Sequence, residues 1–527
     1  MIKKPKMRKT PIMIYDTTLR DGSQGAQISF SADDKLKIAK KLDEAGIDYI
    51  EGGWPGSNPK DIEFFKKVKE LELKHAKITA FGSTRRKTAG VEGDNNLKLL
   101  LEAQTQAITI FGKSSLLHVT DALNATPEEN LKMICESVEY LKKNSNAEII
   151  YDAEHFFDGF KLNSDYSTKT ILAAQDAGAD FIVLCDTNGG SDFYEIQEVT
   201  KQVRKKIKAR LGIHAHNDIE YGVANTFAAV VEGAEMVQGT INGIGERVGN
   251  ANLITIIGNL HKKGYSTNGN IKLSWLKLLS RFVYEIANLH PNERQPYVGD
   301  FAFAHKGGIH VDAVLKNPAL YEHIDPELIG NRRNFLVSDL SGTATIEALS
   351  QYGITKKEPL AKQIAEEIKI REHEGFVYEA ADASLNLLVK NLKGEAINIF
   401  ELIGYGVQIN RKQNETPVSK AVVKIKINDE KITKISYGDG PVNALDLALR
   451  STLISKYPEL SKVKLQDYKV RIIPEQKGTA AKVRVTIESG KGKERFGTVG
   501  VHTNIVEASW QALVDSLAYA VLKERQR

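Results

Sequence analysis

IMIYDTTLRDGSQGAQISFSADDKLKIAKKLDEAGIDYIEGG, residues 12–53, decides the fold. It opens with an apolar run, IMIYD (12–16), and closes with another, IDYIEGG (47–53). Between them, SADDKLKIAKKLDEAG has apolar residues at helical spacing, with Ser31 placed as an N-cap and Gly46 as the C-terminal stop. The segment reads as strand, helix, strand. The same alternation continues through AKITAFG (76–82), AITIFG (107–112), EIIYDAE (148–154), DFIVLCD (180–186), LGIHAH (211–216) and EMVQGTI (235–241). Among the intervening helices, TPEENLKMICESVEYLKK opens at Thr126 with Pro127 in the first helical position. Eight such units within about 250 residues predict an α/β chain with an N-terminal (β/α)8 TIM barrel, over residues 10–275. An open doubly wound sheet would have a Gly-rich phosphate turn after its first strand, and here that strand runs into DTTLRDG instead.

Composition narrows the class. Lys plus Arg number 72 and Asp plus Glu 67 in 527 residues, a net charge of +5 that leaves no electrostatic footprint for nucleic acid. Two cysteines, Cys135 and Cys185, exclude a disulfide scaffold and a Cys-rich metal site. The basic start MIKKPKMRKTPIMIYD lacks the apolar stretch of a signal peptide, and no run is long enough to span a membrane. The expectation is a soluble, cytoplasmic multidomain protein.

In a TIM barrel the chemistry sits where strands end and βα loops begin. Polar residues collect at those places: Arg20 and Asp21 after the first strand, Glu51 on the second, Glu154 and His155 on the fifth, Asp186 and Thr187 on the sixth, His214 and His216 on the seventh. His214 and His216, two apart on a strand, project to one face. With the Asp21 carboxylate they make three ligands that leave positions open for substrate, and zinc, manganese, magnesium or iron all suit the donors. Asn250, in NGIGERVGNAN (242–252), either approaches the metal or caps its loop. Arg20 is placed to stabilise an oxyanion, with Glu51 holding its guanidinium in a bidentate pair; a purely structural ion pair is the other reading. Thr187 is either a hydrogen-bond donor to a substrate carboxylate or a simple turn residue.

YDTTLRDGSQG (15–25), HAHND (214–218) and GTINGIGERVGNANL (239–253) resemble the DRE-type TIM-barrel metallolyases, and within them the Claisen-condensing 2-isopropylmalate, homocitrate and citramalate synthases. EGGWPGSNPKD (51–61), ITAFGSTRRK (78–87), TIFGKSSLLHVTDAL (109–123) and IYDAEHFFDGF (150–160) resemble the citramalate members in particular. Isopropylmalate synthases usually have Phe-Pro after the second strand, where this chain has Gly53-Trp54-Pro55. The resemblance implies condensation of acetyl-CoA with pyruvate and thioester hydrolysis, giving (R)-citramalate and CoA for isoleucine biosynthesis. A larger 2-oxo acid, as in the 2-isopropylmalate or homocitrate synthases, is the alternative. It implies a divalent metal (Mg2+, Mn2+ or Zn2+), a catalytic His310 and a supporting Tyr321 in YEHIDP, and it leaves His305 open. His310, with Glu154, is the expected base. A C–C-cleaving lyase would share the barrel, but the resembling lyases stop soon after it.

After Leu260 the alternation stops, and 276–400 is mostly helical in pattern, with FAFAHKGGIHVDAV (301–314) and SDLSGTATI (338–346) standing out. From 401 to 527, KAVVKIKIND (420–429) and KVRVTIES (482–489) alternate as strands. ISYGDGPVNALDLALRSTL (435–453) and GTVGVHTNIVEASWQALVDSLAYAVL (497–522) read as two strand, Gly-turn, helix units. This weak repeat predicts a small α+β domain. The resemblance makes it a regulatory domain that binds isoleucine or leucine at a homodimer interface, against a plain dimerisation domain.

Overall fold

The computed structural model describes residues 10–268, 270–335, 354, 359–378, 381–413, 416–473, 481–491 and 494–525, so SDLSGTATI lies outside the described residues. The chain forms two compact units, Met1–Phe303 with Ile324–Arg332 and Ala304–His323 with Arg333–Arg527.

In the first unit, β1 (Met13–Asp16), β2 (Tyr49–Gly53), β3 (Lys77–Ser83), β4 (Ala107–Lys113), β5 (Glu148–Glu154), β6 (Phe181–Asp186), β7 (Arg210–Ala215) and β8 (Met236–Gly239) close into a parallel barrel. β1 pairs with both β2 and β8, which completes the ring. All eight predicted runs are strands. Alternate side chains on a strand face opposite ways, and the core divides accordingly. Tyr15, Tyr49, Ala107, Ile150, Phe181, Val183 and Met236 form one buried cluster. Their neighbours Ile14, Ile50, Ile108, Ile149, Ile182 and Val237 join a second that includes Ile38, Leu42, Ile134 and Val138 of the helices. Strands covered on both faces explain why the runs read as nearly continuous apolar sequence.

The first helix, Ala32–Ala45, starts at a capping box between Ser31 and Asp34 and stops at Gly46, whose φ of 89° suits glycine. A Cβ there would also run into the backbone carbonyl of Asn270. Thr126 caps Pro127–Asn144 by accepting from the Glu129 amide. Beneath the β2 loop, Lys35 and Asp61 form a buried ion pair. Lys35 also donates to the Gly52 carbonyl at 3.0 Å, and Asp61 accepts from the Trp54 amide at 2.8 Å. Removing one partner leaves an uncompensated buried charge, so Lys35→Met is expected to lower stability by about 3–5 kcal/mol in urea unfolding. A variant as stable as the parent would show that this pair does not hold the loop.

The second unit begins with a short parallel pair, β9 (Ala304–His305) and β10 (Asn334–Phe335), and contains helices Gly308–Lys316, Pro359–Glu374 and Asp382–Leu392. Two three-stranded antiparallel sheets follow: β11 (Glu401–Asn410), β12 (Val418–Ile427) and β13 (Glu430–Gly438), then β14 (Lys464–Ile472), β15 (Val483–Lys491) and β16 (Glu494–His502). Each is followed by a helix, Pro441–Leu453 or Ile505–Arg525. The repeat is therefore a sheet and a helix used twice. Ala421, Val423, Ile425 and Ile427 alternate along β12 and bury against Ala444, Leu445, Ala448 and Leu449. Val485 and Ile487 of β15 meet Ala508, Ala512 and Leu513 in the same way. One detail differs from the sequence reading: Gly497 and Gly500 lie inside β16, so the second turn is formed by Thr503 and Asn504 and is not glycine-rich. There the Asn504 side chain already accepts from the Val506 amide at the helix start.

Candidate active site

The mouth of the barrel assembles its polar groups from six strand ends: β1, β2, β5, β6, β7 and β8. In the turn after β1, the Gly22 amide bonds the Thr17 carbonyl at 3.0 Å, which folds Arg20 and Asp21 back over the strand. His214 lies in β7 and His216 just beyond it, where it bridges Asn250 of the last loop. Asp21, His214 and His216 are buried, and their ligand atoms all lie within 4.8 Å of one another. Both imidazole Nε2 atoms face Asp21 Oδ2, at 3.4 Å from His214 and 3.7 Å from His216. Two ligands each about 2.1 Å from one ion sit about 3.0–3.5 Å apart, a range that includes the His214 distance and falls just short of the His216 one.

Burial and mutual charge set the protonation of the three groups. Burial raises Asp21, but Arg20 and then the two histidines outweigh it and hold the carboxyl well below the usual range. Burial, helped by His214, pushes His216 down to about 4, which leaves it neutral. His214 is drawn down by burial and back up, beyond its ordinary value, by Asp21. The ionised Asp21 and the neutral His216 are ready donors for a divalent cation, and His214 joins them by giving up the proton that Asp21 favours. Asn250 donates at 3.4 Å to the Ile244 carbonyl, while its buried Oδ1 has no protein partner.

Arg20 donates from Nε to Glu51 Oε1 at 2.5 Å, and its Nη1 lies 3.4 Å from Asp21 Oδ2. In place of the expected bidentate pair, Arg20 meets one oxygen of Glu51, and the other accepts from the Tyr15 hydroxyl at 2.5 Å. Tyr15 in turn meets Thr109 Oγ1 at 2.8 Å. The guanidinium carbon sits 3.9 Å from the centroid of the Phe81 ring. Phe81 stacks on Phe111, and Trp54 packs edge-on against both while its indole donates to Asn96 at 2.7 Å. Trp54 is thus a packing residue behind Phe81.

Glu154 ends β5 in an ion pair with Lys113. Thr187 accepts from the His155 amide at 2.8 Å, so its own hydroxyl hydrogen is free to be donated elsewhere. In the second unit, the rings of His310 and Tyr321 lie 4.1 Å apart. His305 is buried there with Nε2 3.1 Å from Glu322, which Arg333 also binds.

Sequence reasoning passed over Tyr15, Asp152 and Gln238, all buried in the barrel. Burial, with Glu51 adding, pushes Asp152 up to about 7. The available signal was a polar residue inside an apolar run, as in EIIYDAE and EMVQGTI.

The family models place these parts. HMGL-like matches residues 11–283, Homocitrate synthase post-HMGL domain-like matches 297–375, and LeuA allosteric (dimerisation) domain matches 379–521. The chain is 52% identical to an (R)-citramalate synthase of Geobacter sulfurreducens over 520 residues, 98% of each chain. It is 52% identical to the (R)-citramalate synthase of Aquifex aeolicus, again over 98% of both. Identity to the 2-isopropylmalate synthase of Methanocaldococcus jannaschii is 31%, over 98% of this chain and 96% of that one. With a barrel rim of this composition and matches along nearly its whole length, the chain belongs to the HMGL-like family and, within it, to the citramalate synthase group.

Proposed function

We propose that this chain is an acetyl-CoA:pyruvate C-acetyltransferase, an (R)-citramalate synthase, that forms its product by Claisen condensation and thioester hydrolysis. The observation that carries the reading is the buried Asp21, His214 and His216 set with Arg20 against it. Asp21, His214 and His216, with Asn250 as a further donor, would hold a divalent ion, which when bound would supply Lewis-acid activation of a keto acid. Arg20, oriented by Glu51 and the Phe81 ring, stabilises the negative charge that develops on the keto oxygen. Thr187 donates to the substrate carboxylate. The methyl proton of a thioester is weakly acidic, so its removal needs a well-placed base. That role is assigned to His310, with Tyr321 as its neighbour, and Glu154 is the rim carboxylate assigned to proton handling. The acetyl methyl carbon bonds the keto carbon, and water then cleaves the thioester to release CoA as the free thiol.

The exposed Ile435 and Tyr437 lie on the face of β13 opposite the one that packs on the helix, which supports a homodimer. The domain after the barrel is the site for an amino-acid effector, isoleucine or leucine, in a branched-chain pathway. No described helix is long and apolar enough to cross a membrane. The test is free-thiol release from acetyl-CoA on adding pyruvate and a divalent metal, with the product identified as citramalate. Metal-independent release, or a different product, would remove this reading.

A further inference from the structure

His214 and His216 are not held alike. Among the described residues His216 Nδ1 is buried with no hydrogen-bond partner, whereas His214 Nδ1 lies 3.0 Å from Gln238 Oε1. Strand register makes the contact, since β7 pairs His214 directly with Gln238 of β8. The far side of the amide is also engaged: Gln238 Nε2 donates to Asp152 Oδ1 at 3.1 Å. All three residues are buried, so bulk water does not replace these partners.

A side-chain amide has one accepting and one donating end, and a carboxyl retains an acceptor oxygen in either protonation state. In the structure Asp152 takes the NH2 end of Gln238, which turns the carbonyl end toward β7. Facing that carbonyl, His214 carries a proton on Nδ1, so Nε2, the nitrogen toward Asp21, is the one that must be free of a proton to act as a metal ligand. The reversed amide would aim NH2 at Nδ1, require an Nε2–H tautomer and remove the ligand.

We infer that Asp152 and Gln238 are positioning residues that fix the metal-ready tautomer of His214. The inference rests on the metal reading of Asp21, His214 and His216. Hydrogen-bond partners of a ligating imidazole typically change metal affinity by about 10–100-fold. Gln238→Met keeps the length and removes both polar ends. Gln238→Glu keeps an acceptor toward His214.

The experiment is titration of the metal-stripped full chain with Mn2+ and, separately, Zn2+, alongside His214→Ala. Gln238→Met is expected to weaken binding by about 10–100-fold with little change in the metal-free melting temperature, and Gln238→Glu to bind within about threefold of the parent. Asp152→Asn frees the amide to turn, and binding should fall several-fold; this variant decides the matter should Gln238→Met fail to fold. Parental affinity in Gln238→Met or Asp152→Asn, with binding abolished in His214→Ala, overturns the inference alone. Parental affinity in His214→Ala overturns the metal reading itself.

Discussion

His214→Ala and Asp21→Ala are each expected to lose bound metal and condensation activity together, with kcat/KM down by about a thousandfold or more, because Lewis-acid stabilisation is worth several kcal/mol. The barrel should stay folded. Its core lies in the Tyr15–Met236 and Ile14–Val237 clusters, and neither includes these side chains. Metal content by elemental analysis, with circular dichroism as the control, checks the outcome. Full metal content in His214→Ala would remove that residue from the ligand set.

Arg20→Lys separates geometry from charge. The guanidinium of Arg20 does three things at once: it donates to Glu51, approaches Asp21 and lies on the Phe81 ring. A lysine ammonium keeps the positive charge but has no planar fork to meet those partners together. The expected result is a fall in kcat of about 10²–10³-fold with KM changed much less, the signature of an interaction made in the transition state. A change confined to KM would give Arg20 a substrate-holding role instead.

How much of this was legible beforehand depends on the range of the interactions. Strand positions were readable because each barrel strand is buried on both faces, and its apolar run is a local signal. Helix ends were readable for the same reason, since Ser31, Gly46, Thr126 and Pro127 act within one turn. The spacing of His214 and His216 fixed their common face. The partners of those ligands were less accessible: Gln238 meets Asp152 across 86 residues, and Tyr15 competes with Arg20 for Glu51 across 36. Glu51 thus meets Arg20 through one oxygen and Tyr15 through the other. The same limit applies to the second unit. Helix Asp382–Leu392 reads as a continuation of the helical stretch before it, yet Asp382 accepts from the Gly497 amide and Ser384 bonds both Val499 and Asp515. Composition changes where strands begin, while packing joins segments more than a hundred residues apart.

The most direct test of the central claim is kcat/KM for pyruvate against 2-oxoisovalerate, with acetyl-CoA and metal in excess. A single extra methylene in a pocket changes selectivity by about 10–200-fold, and 2-oxoisovalerate adds two carbons to pyruvate. The account predicts a preference for pyruvate of more than about tenfold, with citramalate as the product. A preference for 2-oxoisovalerate would contradict it and place the chain's activity with the 2-isopropylmalate synthases.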